Sequence, residues 1–109
     1  MLIQLRKVVV KPGFADEVIE KFSRQGAVDG MKGFIDRTVM VNRRGKESEE
    51  VVAMIRWESE EDWKNWEKSP VHIAGHREKR GQQPADYVIE SSVQMYHVKA
   101  TSKGTFASL

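Results

Sequence analysis

Val51-Val52-Ala53-Met54-Ile55-Arg56-Trp57 is the stretch on which the fold turns. Its first five residues do not alternate polar with apolar, so both faces of this strand require burial. A helical layer covers one face of a sheet. The other face needs its own cover, and a second copy of the same sheet is the simplest. The stretch therefore predicts a homodimer whose two sheets pack face to face.

Outward from this strand, Asn42 to Glu50 is a charged, glycine-containing connection suited to a hairpin, and Gly33 to Val41 is the partner strand. Upstream, residues 2–11 are rich in β-branched side chains and stop at Pro12-Gly13. From Phe14 the period changes. Phe14, Val18 and Phe22 recur every fourth residue among charged neighbours, which predicts an amphipathic helix with these three as its buried stripe, ending near Gly26. Phe22 also has the option of bordering a cavity between helix and sheet. Downstream, Ser59 caps a helix whose first turn carries Glu60, Glu61 and Asp62, acids that suit the positive end of the helix dipole. Trp57 and Trp63 read as core. A second helical piece runs to Arg80 and stops at Gly81, and Tyr87 to Ala100 is the last strand.

The order is β-α-β-β-α-β with the second helix broken at Ser69-Pro70. This is an α+β, ferredoxin-like arrangement: a four-stranded antiparallel sheet with its helices on one face. One domain spans residues 1–100, and residues 101–109 read as a C-terminal tail.

Composition narrows the function. The chain has no cysteine, which removes disulfides, zinc ribbons, iron–sulfur clusters and thiolate-ligated heme together and fits a cytoplasmic location. No apolar run is long enough to cross a bilayer, so no membrane partner is expected. A net charge of +2 is only mildly basic, and the densest basic segment, Arg77-Glu78-Lys79-Arg80, is interrupted by an acid and carries no aromatics. It reads as a solvated helix face, and no nucleic-acid partner is expected. Without a nucleophile elbow or a phosphate-cradling glycine loop, nucleophilic hydrolysis and nucleotide use have no apparatus.

What remains is Trp66-Glu67-Lys68-Ser69-Pro70-Val71-His72-Ile73-Ala74-Gly75-His76. Proline cannot donate a backbone N–H but fits the first turn of a helix, so Ser69-Pro70 ends one helix and begins another. An indole at the end of the first and an imidazole about two turns into the second then face one cavity from different directions. That suits a flat, metal-containing ligand. His72 and His76 are four apart on one helix, but the metalloprotease pattern would place a glutamate where Ile73 stands. With no third ligand near in sequence, His72 reads as a partly exposed helix histidine. Gly75 costs a helix about 1 kcal/mol relative to alanine, so a bulky group close to the backbone is one reading. A helix-packing glycine beside a surface His76 is the other. Spacing does not separate them, and Trp66 by spacing alone is core.

Three segments carry a family resemblance over nearly the whole chain: Val18-Ile19-Glu20-Lys21-Phe22, Met54-Ile55-Arg56-Trp57-Glu58-Ser59, and the Trp66–His76 segment with its Trp-x-x-Ser start. In these the chain resembles the IsdG-type heme-degrading monooxygenases of the antibiotic-biosynthesis-monooxygenase superfamily, and their Bacillus-type members most of all. The resemblance implies a dimeric α+β barrel. It implies that His76 is the axial ligand of the heme iron, with Gly75, Phe22 and Trp66 around the cofactor. Trp66 matches the distal tryptophan that buckles the porphyrin and directs dioxygen to a meso carbon. The family's asparagine on the first strand hydrogen-bonds near the iron's open position, and aligned through Lys11-Pro12-Gly13 that place holds Arg6. Arg6 has five donors and no acceptor. It can donate to bound oxygen, clamp a heme propionate, or be taken up by a carboxylate elsewhere.

The implied activity is oxidative ring opening of heme b, substrate and cofactor at once, with dioxygen and electrons from a reductase or NADPH, releasing iron. Two alternatives stay open: a non-catalytic heme carrier, prompted by Arg6 in place of asparagine, and a cofactor-free monooxygenase of an aromatic or quinol.

Overall fold

The computed structural model describes residues 1–43, 45–79, 81 and 83–106. In chain order they form β1 (Leu2–Val10), α1 (Ala15–Ser23), a 3-10 turn (Ala27–Gly30), β2 (Phe34–Asn42), β3 (Glu49–Trp57), α2 (Glu60–Glu67), α3 (Pro70–Lys79) and β4 (Val88–His97). The strands make one antiparallel sheet in the order β2-β3-β1-β4, which is the ferredoxin-like topology expected from the element order.

Register settles which side chains share a face, since directly opposed residues of an antiparallel pair point the same way. Arg6 of β1 opposes Ala53 of β3 and Val93 of β4, and Ala53 in turn opposes Val39 of β2. Arg6 therefore shares the helix-covered face with Val8, Val10, Val51 and Trp57. On that face Val10, Val51, Ala15, Val18 and Tyr87 form the buried core, with Ile19 and Phe22 of α1 packed against it. Trp57 is also fully buried, with the Phe34 ring edge-on at 5.6 Å.

The first helix is shorter than its sequence period predicts. It ends at Ser23, so Gly26 lies outside it, and the Ala27–Gly30 turn follows. Phe14 caps the helix instead of joining its stripe, is 38% exposed, and stacks on Tyr87 at 4.9 Å. The reason lies across the sheet. Glu49 at the start of β3 accepts hydrogen bonds from the backbone of Gly13 (2.7 Å) and Ala15 (3.4 Å), which fixes where the helix begins. The Gly13 N–H above all, then the Ala15 N–H and the Arg43 guanidinium, hold the Glu49 carboxyl below the usual range. Trp63, expected in the core, is half-buried.

The opposite face has no helix. Ile3, Leu5 and Val9 of β1 and Val52 and Met54 of β3 are only half-buried there, and Met40 and Tyr96 are exposed. The chain is a slab of 42 × 40 × 22 Å with a radius of gyration of 15.9 Å. A compact domain of this length has a radius near about 13 Å. No described helix is long and apolar enough to cross a membrane.

Candidate functional site

The α2–α3 corner is built by two serines. Ser59 accepts from the Asp62 N–H at 3.1 Å and donates from its hydroxyl to the Asp62 carboxylate at 2.9 Å, so it starts α2. Ser69 follows the end of α2, its N–H bonding the Trp66 carbonyl at 3.0 Å, and starts α3, its hydroxyl accepting from the His72 N–H at 3.3 Å. Pro70 takes the first helical position, where a missing N–H costs nothing. Lys68 is the C-cap of α2 and Ser69 caps the start of α3, so the chain turns within two residues.

The turn places Trp66, in the last turn of α2, against His72, in the first turn of α3. Their ring centroids are 4.8 Å apart in an edge contact, and His72 meets His76 in the same manner at 4.4 Å. No ring contact joins Trp66 to His76 among the described residues. His72 stands between them, so the expected facing pair is a row of three. The His72 side chain is 17% exposed, a partly exposed helix residue as its spacing predicted, with its ring against Trp66 and Glu67. Its Nε2 is inaccessible to solvent and lies 2.8 Å from Glu67 Oε2, an ion-pair contact not aligned as a hydrogen bond. His76 is exposed at the outer end of the row.

Gly75 gives a sharper answer than its spacing did. A Cβ built there meets no atom within 4 Å beyond its own helix backbone and chain neighbours. The glycine is not needed for helix packing within this chain, since no described group stands where its side chain would be. The space beside the Gly75 Cα, next to His76, is open.

Arg6 and Phe22 form a second cluster. The guanidinium carbon lies 5.8 Å from the Phe22 ring centroid, a cation–π contact across the gap between β1 and α1. Arg6 has no carboxylate partner among the described residues, so uptake by an acid elsewhere, one of the three uses its chemistry allowed, is not seen. Phe22 is half-buried, as a residue bordering a cavity would be. On the other flank of α1 an open groove of about 440 Å³ runs to β2, with Ile19, Ser23, Asp29, Phe34, Arg37 and Val39 among its lining. No hydrogen bond, ion pair or ring contact among the described residues links Arg6 and Phe22 to the Trp66–His72–His76 row.

Sequence reasoning missed Glu67. It is adjacent to Trp66 and five residues before His72, a spacing that fits no single helix, and only the corner at Ser69 brings the carboxylate to the imidazoles. A helix break with donors on both sides was the available signal.

The antibiotic biosynthesis monooxygenase family profile matches residues 1–78. The heme-degrading monooxygenase HmoA of Bacillus subtilis is 53% identical over 106 residues, covering 97% of this chain and 98% of that protein. A crystal structure of a Bacillus cereus protein described as an antibiotic biosynthesis monooxygenase superposes with a TM-score of 0.82 at 38% identity, over 94% of this chain and 95% of the other. The Mycobacterium tuberculosis heme-degrader MhuD, solved with two hemes in its active site, superposes with a TM-score of 0.65 at 24% identity over 94% and 100% of the two chains, a likeness of fold.

Proposed function

Because the chain belongs to the antibiotic biosynthesis monooxygenase family, we propose that it degrades heme oxidatively, opening the ring at a meso carbon and releasing iron. The observation that carries the reading is Gly75. A helix residue that costs about 1 kcal/mol and has no packing reason leaves room for a flat group beside the exposed imidazole of His76. The near-full-length likeness to a heme-degrading monooxygenase supports the same conclusion.

The residues fit such a group. His76 is free of ion pairs among the described residues and offers an exposed imidazole, a usual proximal ligand. Trp66 is half-buried and held against His72, so its indole is a rigid wall. Arg6 supplies a permanent charge with several donors, steadied by the Phe22 face. Heme, when bound, supplies the iron and the redox chemistry. His76 would ligate the heme, Trp66 would crowd the ring, and Arg6 would donate to a propionate or to dioxygen. Dioxygen and electrons from a reductase or NADPH complete the reaction.

Hemin added to the purified chain is expected to give a Soret band that decays under air when ascorbate or a reductase with NADPH is supplied, catalase being present throughout. An intact Soret band under those conditions would reject the enzyme and leave a heme carrier. No Soret shift at all would favour a cofactor-free oxygenase. Arg6→Ala in the same assay separates the roles of that side chain: weaker hemin binding points to a propionate clamp, and slower decay with unchanged binding to an oxygen contact.

The active form is a homodimer. The helix-free face carries Ile3, Leu5, Val9, Met40, Val52 and Met54, and a second slab laid against it gives the two-layer thickness that a domain core requires. Light scattering should report twice the chain mass, and Met54→Glu should reduce it to a single chain. A wild-type chain that elutes as a monomer at micromolar concentration would overturn the dimer.

A further inference from the structure

We infer that Glu67, His72 and His76 form a binding site for one divalent transition-metal ion, and that this ion and heme compete for His76. The second clause rests on the heme reading above; the first does not. One ligand atom from each of the three residues lies within 4.8 Å of the other two. Ligands around a tetrahedral ion at about 2.0–2.2 Å stand roughly 3.4 Å apart. Binding therefore requires a movement in which the widest pair closes by up to roughly 1.4 Å, while His72 Nε2 and Glu67 Oε2, now 2.8 Å apart, open slightly to admit the ion. The side chains able to make it are the accessible ones. Glu67 is 37% exposed and His76 is exposed, while His72 is fixed by the Trp66 ring.

A second observation points to a ligand. Nε2 of His72 is buried without a hydrogen-bond partner, an unfavourable state for an imidazole nitrogen. Glu67 Oε2 lies 2.8 Å from it yet off the hydrogen-bonding line. A cation bound by both, with the partly exposed Glu67 carboxylate drawn back to admit it, would satisfy nitrogen and carboxylate together. Two histidines four apart on one helix face are a standard chelating pair, and a carboxylate from the preceding helix supplies the third donor. Two imidazoles and one carboxylate select first-row divalent ions such as Zn²⁺, Co²⁺ and Fe²⁺ over Mg²⁺ and Ca²⁺, and three protein ligands leave a position for water. The imidazole of His76 cannot direct one lone pair at two metals, so a chain loaded with the ion lacks its axial donor for heme.

The test uses the full heme-free chain with Co²⁺ followed by visible absorption and Zn²⁺ by calorimetry. One ion per chain is expected. Glu67→Gln and His72→Ala should each weaken binding by more than the roughly 10–100-fold that loss of an outer partner costs. Circular dichroism checks that each variant is folded, and Glu67→Gln, at a partly exposed position, is the decisive one. Absence of binding, or binding undiminished in folded Glu67→Gln, overturns the site. Hemin titration is then repeated with saturating Zn²⁺. Weaker hemin binding in the wild type, with no Zn²⁺ effect in Glu67→Gln, supports the competition. Zn²⁺ bound at the site with hemin affinity unaltered overturns the competition and, separately, the assignment of His76 to heme.

Discussion

His76→Ala is expected to lower hemin affinity and turnover by about 100-fold or more, beyond what loss of an outer-shell partner of a metal ligand costs. The side chain lies exposed at the end of the Trp66–His72–His76 row, and among the described residues its one ring contact is with His72. Its removal leaves the core untouched, so the melting midpoint should move by no more than a surface substitution allows, about 0.5 kcal/mol. That separation of binding from folding makes the variant decisive. His72 is the natural substitute donor, only 4.4 Å from His76, but its Nε2 is buried and faces Glu67. The change should therefore appear as lost axial ligation and not as an exchange of one histidine for another. Added free imidazole should restore part of the Soret spectrum, because the space left beside Gly75 is open. Unchanged affinity and an unchanged spectrum would remove His76 from the site.

How far such a site can be read from sequence depends on whether its parts are local. The strands of the sheet and the Ser59 cap are local patterns, and the structure has each of them. The Ser69-Pro70 break is local too, and so the corner was foreseen. What the corner brings together was not. Helical period left His72 as a partly exposed helix residue and gave no sign that it would stand between Trp66 and His76. Glu67 belongs to a different helix, and its carboxylate reaches His72 only because Lys68 and Ser69 alone separate the two helices. The start of α1 failed for the same reason. Its position is set by Glu49, more than thirty residues away, whose carboxylate takes the free N–H groups of Gly13 and Ala15. Arg6 shows the limit from the other side. Its sheet face follows from register, yet its contact with Phe22 depends on how α1 lies across that face.

Gly33→Ala is expected to remove about 3 kcal/mol or more of stability, a large share of the roughly 5–15 kcal/mol that holds a domain of this size. Two effects combine. Gly33 has φ +86°, a conformation that an alanine adopts only under strain. A Cβ at that position would also coincide with the Asp62 side chain, which is 7% exposed and cannot swing into solvent. Asp62 is held by Ser59, and the Gly33 carbonyl accepts from the Glu58 N–H at 2.8 Å, so this contact seats the start of α2 on the start of β2. The seat decides where the other end of α2 points, and that end carries Trp66 and Glu67. Urea denaturation of Gly33→Ala and of the double variant Gly33→Ala/Asp62→Gly distinguishes the two effects. The second substitution removes the collision but leaves the backbone strain, so the double variant should be more stable than the sum of the single losses allows. Hemin affinity should follow the same order, because a displaced α2 moves the indole wall away from His76. A Gly33→Ala chain as stable as the wild type would mean that α2 is seated by something other than Asp62, and the position of Trp66 would then need another cause.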